Sequence, residues 1–273
     1  RGLVCYKVVP HRETILHNIN KYSLILKYLN GINIGVYDDE EVKFKPKYKY
    51  ILLEIKFKKH SHPKTFDWHW KSKGYNRIAL VNYLVAKCGG YECKYLEIGC
   101  ESNDLFDSVY SHHKTGVDPA SGGTHRMTSD DFFDVTEEES FDVIFIDGLH
   151  EYQQVKRDAI NALNMIKDGG WIAFHDFLPS SWKEHHIPRI QTDFTGDCWK
   201  LALELSKADG VDFRIVSIDH GIGLLRKSKM DYSIPDLSSE LSKAEFDKFV
   251  EEVPNLPIVE FEEAISFINS LSN

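Results

Sequence analysis

The chain has 273 residues, 42% hydrophobic and 27% charged, with 42 acidic side chains against 33 Lys and Arg. That composition suits one folded domain with an appendage or two small domains, and the net charge of −9 argues against a dedicated nucleic-acid binder. No apolar run approaches the roughly 18–20 residues of a membrane helix, and no ordered signal-peptide pattern opens the chain.

An initial Arg1 in place of Met is expected of a processed chain or of a piece cut from a longer, multidomain chain. The five cysteines, at 5, 88, 93, 100 and 198, make no CxxC pair and close no zinc shell. Reduced thiols and a cytoplasmic setting are the expectation. Charge is unevenly spread. Residues 1–77 carry 16 basic and 7 acidic side chains, a balance of +9, whereas residues 231–273 carry 2 and 10, a balance of −8. The basic front can attract phosphates, or dock on acidic parts of this chain or of a neighbouring domain.

In chain order, residues 1–74 read as an α+β extension. "ETILHNINKYSLILKYLN" has helical apolar spacing and ends before Gly31. "VKFKPKYKYILLEIKFK" alternates Lys with apolar residues, which predicts a half-exposed strand, with Pro46 confining its start to an edge or bend. The loop "SHPKTFDWHWKSKGYN" follows. From 75 to 230 the pattern becomes regular: a helix with Ile78, Val81, Leu84 and Val85 on one face, closed by Gly89-Gly90, and then alternating strands and helices. The strands are "KYLEIG", "KTGVD", a short "THRMT", "FDVIFID" and "GGWIAFHD", and "DFRIVSID" and "GIGLLRK" form a closing hairpin. The helices between them are "DLFDSVY", the stretch carrying Val155, Ala159, Ala162, Leu163 and Ile166, and "GDCWKLALELSKA". This alternation predicts an α/β, doubly wound, Rossmann-like sheet, mostly parallel and covered on both faces. Residues 231–273 read as an acidic helical extension, with helices near 240–251 and 259–271.

In such a sheet, ligands sit beyond the carboxyl ends of the strands. After the first strand comes "EIGCESND", where Gly99 permits close backbone approach and Glu97 stands at the strand end. The second and third glycines of a dinucleotide fingerprint are missing, and Glu101 and Asp104 occupy the place of a pyrophosphate. After the second strand, Asp118 is placed to accept hydrogen bonds from a ribose, followed by Pro119. A ribose site that repels phosphate points to a nucleoside bearing a sulfonium, S-adenosylmethionine (SAM), with Glu97 near the positive sulfur.

Together "YLEIGCESNDLFDSV", "TGVDPASGGTHRMTSDDFF", "FDVIFIDGLHEYQQVKRDAINALNMIKDGGWIAFHDFLP" and "TGDCWKLAL" resemble class I SAM-dependent methyltransferases of the sugar-modifying type, over about residues 75–227. The resemblance implies a seven-stranded sheet with its last strand antiparallel. It also implies SAM contacts at Glu97, Gly99, Asp118 and the segment with Ser129 and Asp130, the last two near adenine. The sequence departs from the family at Glu101-Ser102-Asn103-Asp104, where more glycine is usual. The Lys/Asn/Ile/Tyr-rich front also resembles the methyltransferase part of large-virus glycan-assembly proteins, for which the host cytoplasm is the location.

A sugar hydroxyl needs help to lose its proton at neutral pH. Two neighbouring strand tips offer it: Asp147 and His150, then His175 and Asp176. In one reading a histidine takes the proton and a carboxylate orients it. In the other, Asp147, His175 and Asp176 hold a divalent ion, Mg or Mn. Read alone, Asp147 serves equally as a helix cap and His175 as a core histidine. Trp68, Trp70, Tyr75, Tyr152 and Trp182 are candidates to pack against an acceptor, or to bury the front segment. The favoured function is O-methylation of a sugar hydroxyl, such as that of a terminal rhamnose in a glycan. The alternatives are a nucleic-acid or small-metabolite methyltransferase and a non-catalytic interaction module of the same fold.

Overall fold

The computed structural model describes residues 46–136, 140–229 and 231–271. The chain divides into two compact units, Arg1–Lys59 and His60–Asn273. The helix expected within 13–30 lies outside the described residues. In the first unit, residues expected to form a strand are instead a helix, α1 (Pro46–Lys56). Proline opens it, where a missing N–H and a fixed φ cost nothing. The Lys–aromatic alternation stops at Tyr50, and the run Ile51–Ile55 then carries the turn onward with Ile51 and Ile55 exposed.

The second unit is built on a seven-stranded sheet in the order β2-β1-β3-β4-β6-β5-β7. The strands are β1 (Lys94–Ile98), β2 (His113–Val117), β3 (Phe141–Ile146), β4 (Ile166–Phe174), β5 (Val211–Val216), β6 (Ile222–Lys227) and β7 (Ile258–Val259). Strands β2, β1, β3 and β4 run parallel, while β6 lies antiparallel between β4 and β5. This is the Rossmann-like architecture expected, with the antiparallel strand closing the hairpin.

Its seventh strand has an unexpected origin. "THRMT" contributes only a single bridge, Val117 to His125, and the two-residue β7 comes from the acidic C-terminal segment, pairing parallel with β5. That segment also supplies α8 (Ser238–Leu241), α9 (Phe246–Glu252) and α10 (Phe261–Ser270). Two residues of edge strand have too little pattern to be read from sequence.

Strand alternation sends Tyr95, Val143, Phe145, Trp171 and Ala173 to one face, where they pack with α2 (Arg77–Lys87), α3 (Asp104–Ser108) and α10. The α2 helix starts where the Asn76 side chain accepts from the amides of Ile78 and Ala79, and it buries Leu80, Val81, Leu84 and Val85. Helix α5 (Tyr152–Met165) runs between β3 and β4, packs on both, and carries α7 (Trp199–Leu205). Two smaller helices complete the unit, α4 (Ser129–Val135) and α6 (Trp182–His185). No described helix is long and apolar enough to cross a membrane.

Candidate functional site

The carboxyl ends of β1, β3 and β4 lie side by side because these strands are neighbours and parallel. At the first tip, Gly99 has φ +87°, and a Cβ there would stand 2.0 Å from the backbone oxygen of Asp147. The β1 turn and the β3 tip thus pass so closely that only glycine fits. Asp147 N–H donates to the Ile98 carbonyl and His175 N–H to Ile146, which fixes each tip against the next.

Four expected residues converge there. His150 Nδ1 stands 2.8 Å from Asp176 Oδ2, and its Nε2 stands 3.6 Å from Asp147 Oδ1. Its ring stacks on Phe194 with centroids 5.5 Å apart. Gly196, at φ +60°, passes so close to His150 that a Cβ would stand 1.8 Å from its carbonyl oxygen. Asp176 itself sits at φ +67°, a conformation costing on the order of 1–3 kcal/mol for a residue with a side chain. Its carboxylate meets both histidines.

His175 is buried almost as fully as Asp176. Its Nδ1 is 3.2 Å from Asp147 Oδ1 and 3.1 Å from Asp176 Oδ1. Neither oxygen is aligned for a hydrogen bond, and this buried nitrogen has no hydrogen-bond partner among the described residues. On its other edge, Nε2 lies 3.3 Å from Arg77 Nη1 and 3.5 Å from Asp219 Oδ1. Asp147, His175 and Asp176 each offer one ligand atom, all within 4.8 Å of one another. Two carboxylates and an imidazole nitrogen with no aligned partner fit a divalent cation.

Burial opposes charge at these groups, but the neighbours overrule it. Desolvation pulls the His150 imidazole down, yet the Asp176 hydrogen bond and charge, with Asp147, leave it above its ordinary value. His175 is likewise pulled down by burial and carried well above its ordinary range by Asp147 and Asp176. Burial pushes the Asp176 and Asp219 carboxyls up, and the adjoining histidines, with Arg77 at Asp219, hold both far below the usual carboxylate range.

The tips line a cavity of about 260 Å³ that includes Gly99, Glu101, Asp147, His150, His175 and Asp176. Glu97, 2% exposed, lies beneath it, accepting a 2.5 Å hydrogen bond from Tyr95. Burial pushes its carboxyl up to about 7. At the β2 tip, Asp118 accepts from the amides of Glu101, Ala120 and Ser121. Burial raises its pKa, but these three backbone donors bring it below the ordinary value. Oδ1 takes two of these bonds and Oδ2 one, so Oδ2 keeps a lone pair for a further donor. The Glu101 amide thus does local work in the turn, while Glu101 and Asn103 sit at φ +43° and +67°, the left-handed region where the expected glycines would be at ease. Pro119 follows in an exposed turn. Ser129 and Asp130 begin α4, both bonded by Gln154 Nε2, and Arg157 pairs with Asp130.

The five aromatic candidates separate. Trp70 and Tyr75 line a second hollow of about 280 Å³, which shares Asp219 and His220 with the first. The structure does not bring the other three to either cavity. Trp68 stacks on Phe66 and donates to the Pro179 carbonyl. Trp182 is buried edge-on against His186. Tyr152, 2% exposed, donates its hydroxyl to Glu204. Sequence reading missed Arg77, Asp219 and Phe194. For Asp219 a signal existed: it follows β5 after two residues, as Asp176 follows β4 after one and Asp147 follows β3 directly. Arg77 and Phe194 carried none.

Residues 91–177, from just before β1 to just past the Asp176 tip, match a family model described as a methyltransferase domain. No curated protein matches the chain. Among solved structures, the SAH-bound methyltransferase of Podospora anserina is similar at 11% identity and a TM-score of 0.42, covering 82% of this chain and 100% of its own. The MycE methyltransferase of the mycinamycin pathway, in complex with Mg, SAH and mycinamycin VI, is similar at 13% identity and a TM-score of 0.40, covering 86% and 68%. A putative caffeoyl-CoA O-methyltransferase from Staphylococcus aureus is similar at 14% identity and a TM-score of 0.40, covering 77% and 99%.

Proposed function

We propose that this protein, a class I SAM-dependent methyltransferase, transfers the methyl group to a sugar hydroxyl, a terminal deoxyhexose such as rhamnose in a glycan being the acceptor favoured by the sequence resemblance. SAM supplies the methyl group from a positively charged sulfur. The chain supplies a cradle, orientation and a destination for the hydroxyl proton. Gly99, Glu97 and Asp118 form the cradle, with Pro119, Ser129 and Asp130 on the nucleoside side.

The observation that carries the reading is the 2.8 Å contact between His150 and Asp176 in the lining of the cavity. It is a base and an orienting carboxylate. With Nδ1 held between Asp176 and the Phe194 carbonyl, the acceptor proton passes to Nε2, and Asp147 stabilises the charge that results. Orienting the acceptor oxygen against the methyl supplies much of the remaining rate. The hollow beside it supports a ring-shaped acceptor: Trp70 and Tyr75 offer faces for sugar C–H groups, and Asp219 and His220 offer polar edges.

The His175 Nδ1, set between two carboxylates with no aligned hydrogen bond, favours a second element in the same site. Asp147, His175 and Asp176 would hold a divalent cation, whose chemistry is to lower the pKa of a bound hydroxyl. An imidazole in the set favours manganese over magnesium. The test is methyl transfer from labelled SAM to a panel of glycosides and RNAs, with and without EDTA. Methylation of glycosides supports the reading. Methylation of RNA alone, or no SAM binding at millimolar cofactor, contradicts it.

A further inference from the structure

His150 lies in the turn between β3 and α5 rather than in either element, so its place is set by whatever holds that turn. Helix α5 opens at Tyr152, and its N-cap residue, Glu151, makes no side-chain capping bond. The cap comes from elsewhere in the chain. Asp197 Oδ1 accepts from the Tyr152 amide at 2.6 Å, across a separation of 45 residues. In return the Asp197 amide donates to the His150 carbonyl at 3.3 Å. One residue therefore grips the turn on both sides, at 150 and at 152.

Asp197 is itself restrained. Its Oδ2 accepts from Lys200 Nζ, in the first turn of α7, at 2.8 Å, and the two side chains are only 15% and 4% exposed. Just before it, the Thr195 and Gly196 amides both donate to the Glu184 carbonyl, which ties the segment to α6. Phe194 lies flat on the His150 ring and turns its carbonyl to Nδ1 at 3.2 Å. Residues 194–197 thus meet His150 at its ring, its ring nitrogen and its carbonyl. A helix cap needs only the Tyr152 bond; the other contacts bear on where the imidazole stands. Misplacing a reacting group by about 1 Å can cost on the order of 10²-fold in rate.

We infer that Asp197, held by Lys200, is a positioning residue: it fixes the 150–152 turn from the α7 side and so keeps the His150 imidazole between Asp176 and Asp147. This rests on the reading of His150 as the base. It adds that turnover is governed by a residue that does not line the cavity holding that base.

The test is steady-state methyl transfer from labelled SAM by the full chain, with the acceptor on which the wild type is fastest in a panel of glycosides and RNAs. Asp197→Ala removes the carboxylate. Asp197→Glu keeps the charge and a partner for Lys200, but its extra methylene cannot enter a 2.6 Å bond without moving the turn. Both variants lower kcat, Asp197→Ala by about 10-fold or more, with acceptor KM and SAM affinity nearly unchanged. In a His150→Ala background Asp197→Ala lowers kcat no further, because its influence passes through the imidazole. A cap alone would lower the melting temperature and leave the kcat of the folded enzyme in place. Unchanged kcat in both variants, beside a low kcat in His150→Ala, overturns the positioning role and leaves the base reading standing. An equal loss with and without His150 overturns the positioning role as well. Full kcat in His150→Ala, or a wild type that methylates nothing in the panel, overturns both.

Discussion

Asp176 Oδ2 stands 2.8 Å from His150 Nδ1, across the tips of two adjacent strands. Neither residue could make this contact from its own strand alone. His150 reaches it through the turn after β3, and Asp176 through a left-handed backbone after β4. The strain at Asp176 and the closeness of Gly196 to His150 are both local costs that serve one juxtaposition.

Gly196→Ala tests that juxtaposition without touching a polar group. The added methyl would collide with the His150 carbonyl, so His150 must move. We expect turnover to fall at least about 10-fold, as displacing a reacting group does, with SAM affinity nearly unchanged. Steady-state rates and cofactor calorimetry check this; unchanged turnover would show that the position of His150 is immaterial.

Gly99→Ala acts on the cradle instead. A Cβ 2.0 Å from the Asp147 oxygen cannot be accommodated, and φ +87° disfavours alanine independently. The expected cost is about 3 kcal/mol or more, in the range of overpacking combined with backbone strain. Chemical denaturation measures it. A loss below about 1 kcal/mol would mean that the β1 and β3 tips are not locked together.

Glu97 gives the protein a pH signature. Its folded pKa is raised from 4.5 to about 7 by burial, so the fold favours the protonated form. Its contribution to stability is therefore complete below about pH 4.5 and is lost as pH rises to 7. Glu97→Gln removes this dependence, and the variant gains on the wild type by up to about 3 kcal/mol above pH 7. Unfolding of both proteins at pH 5 and pH 8 checks the sign. A stability gap that does not widen with pH counts against a buried, neutral Glu97.

For the metal, EDTA should lower turnover, and Mn²⁺ should restore it better than Mg²⁺. His175→Ala should abolish the Mn²⁺ response while leaving SAM binding in place. Turnover indifferent to EDTA after exhaustive dialysis would assign Asp147 and His175 to orienting the base alone.

Much of this was legible in the chain. Runs such as "FDVIFID" end in acids because the sheet is buried on both faces and changes character only at its tips, so Asp147 and Asp176 announced themselves. Their convergence with His150 and His175 followed from strand adjacency. Asp219 carried the same mark, an acid just past a strand, whereas Arg77 was hidden for a topological reason: it lies at a helix start, distant in sequence from Asp219 and joined to it only by the fold. Tyr152 misled because an aromatic beside His150 looks available, whereas the first turn of α5 points its hydroxyl into the Glu204 network. In α1, a short alternation of charge and ring imitates a strand, and a proline at a helix start reads equally as the edge or bend of one.

The most direct measurement is product analysis after reaction of labelled SAM with rhamnosides and other glycosides, using wild type and His150→Ala, with SAM affinity determined in parallel. The account predicts a methyl ether on a sugar oxygen from the wild type, and a rate lower by about 10²- to 10⁴-fold in His150→Ala at equal cofactor affinity. Label appearing on nitrogen or carbon instead, or equal rates in the two proteins, would contradict it.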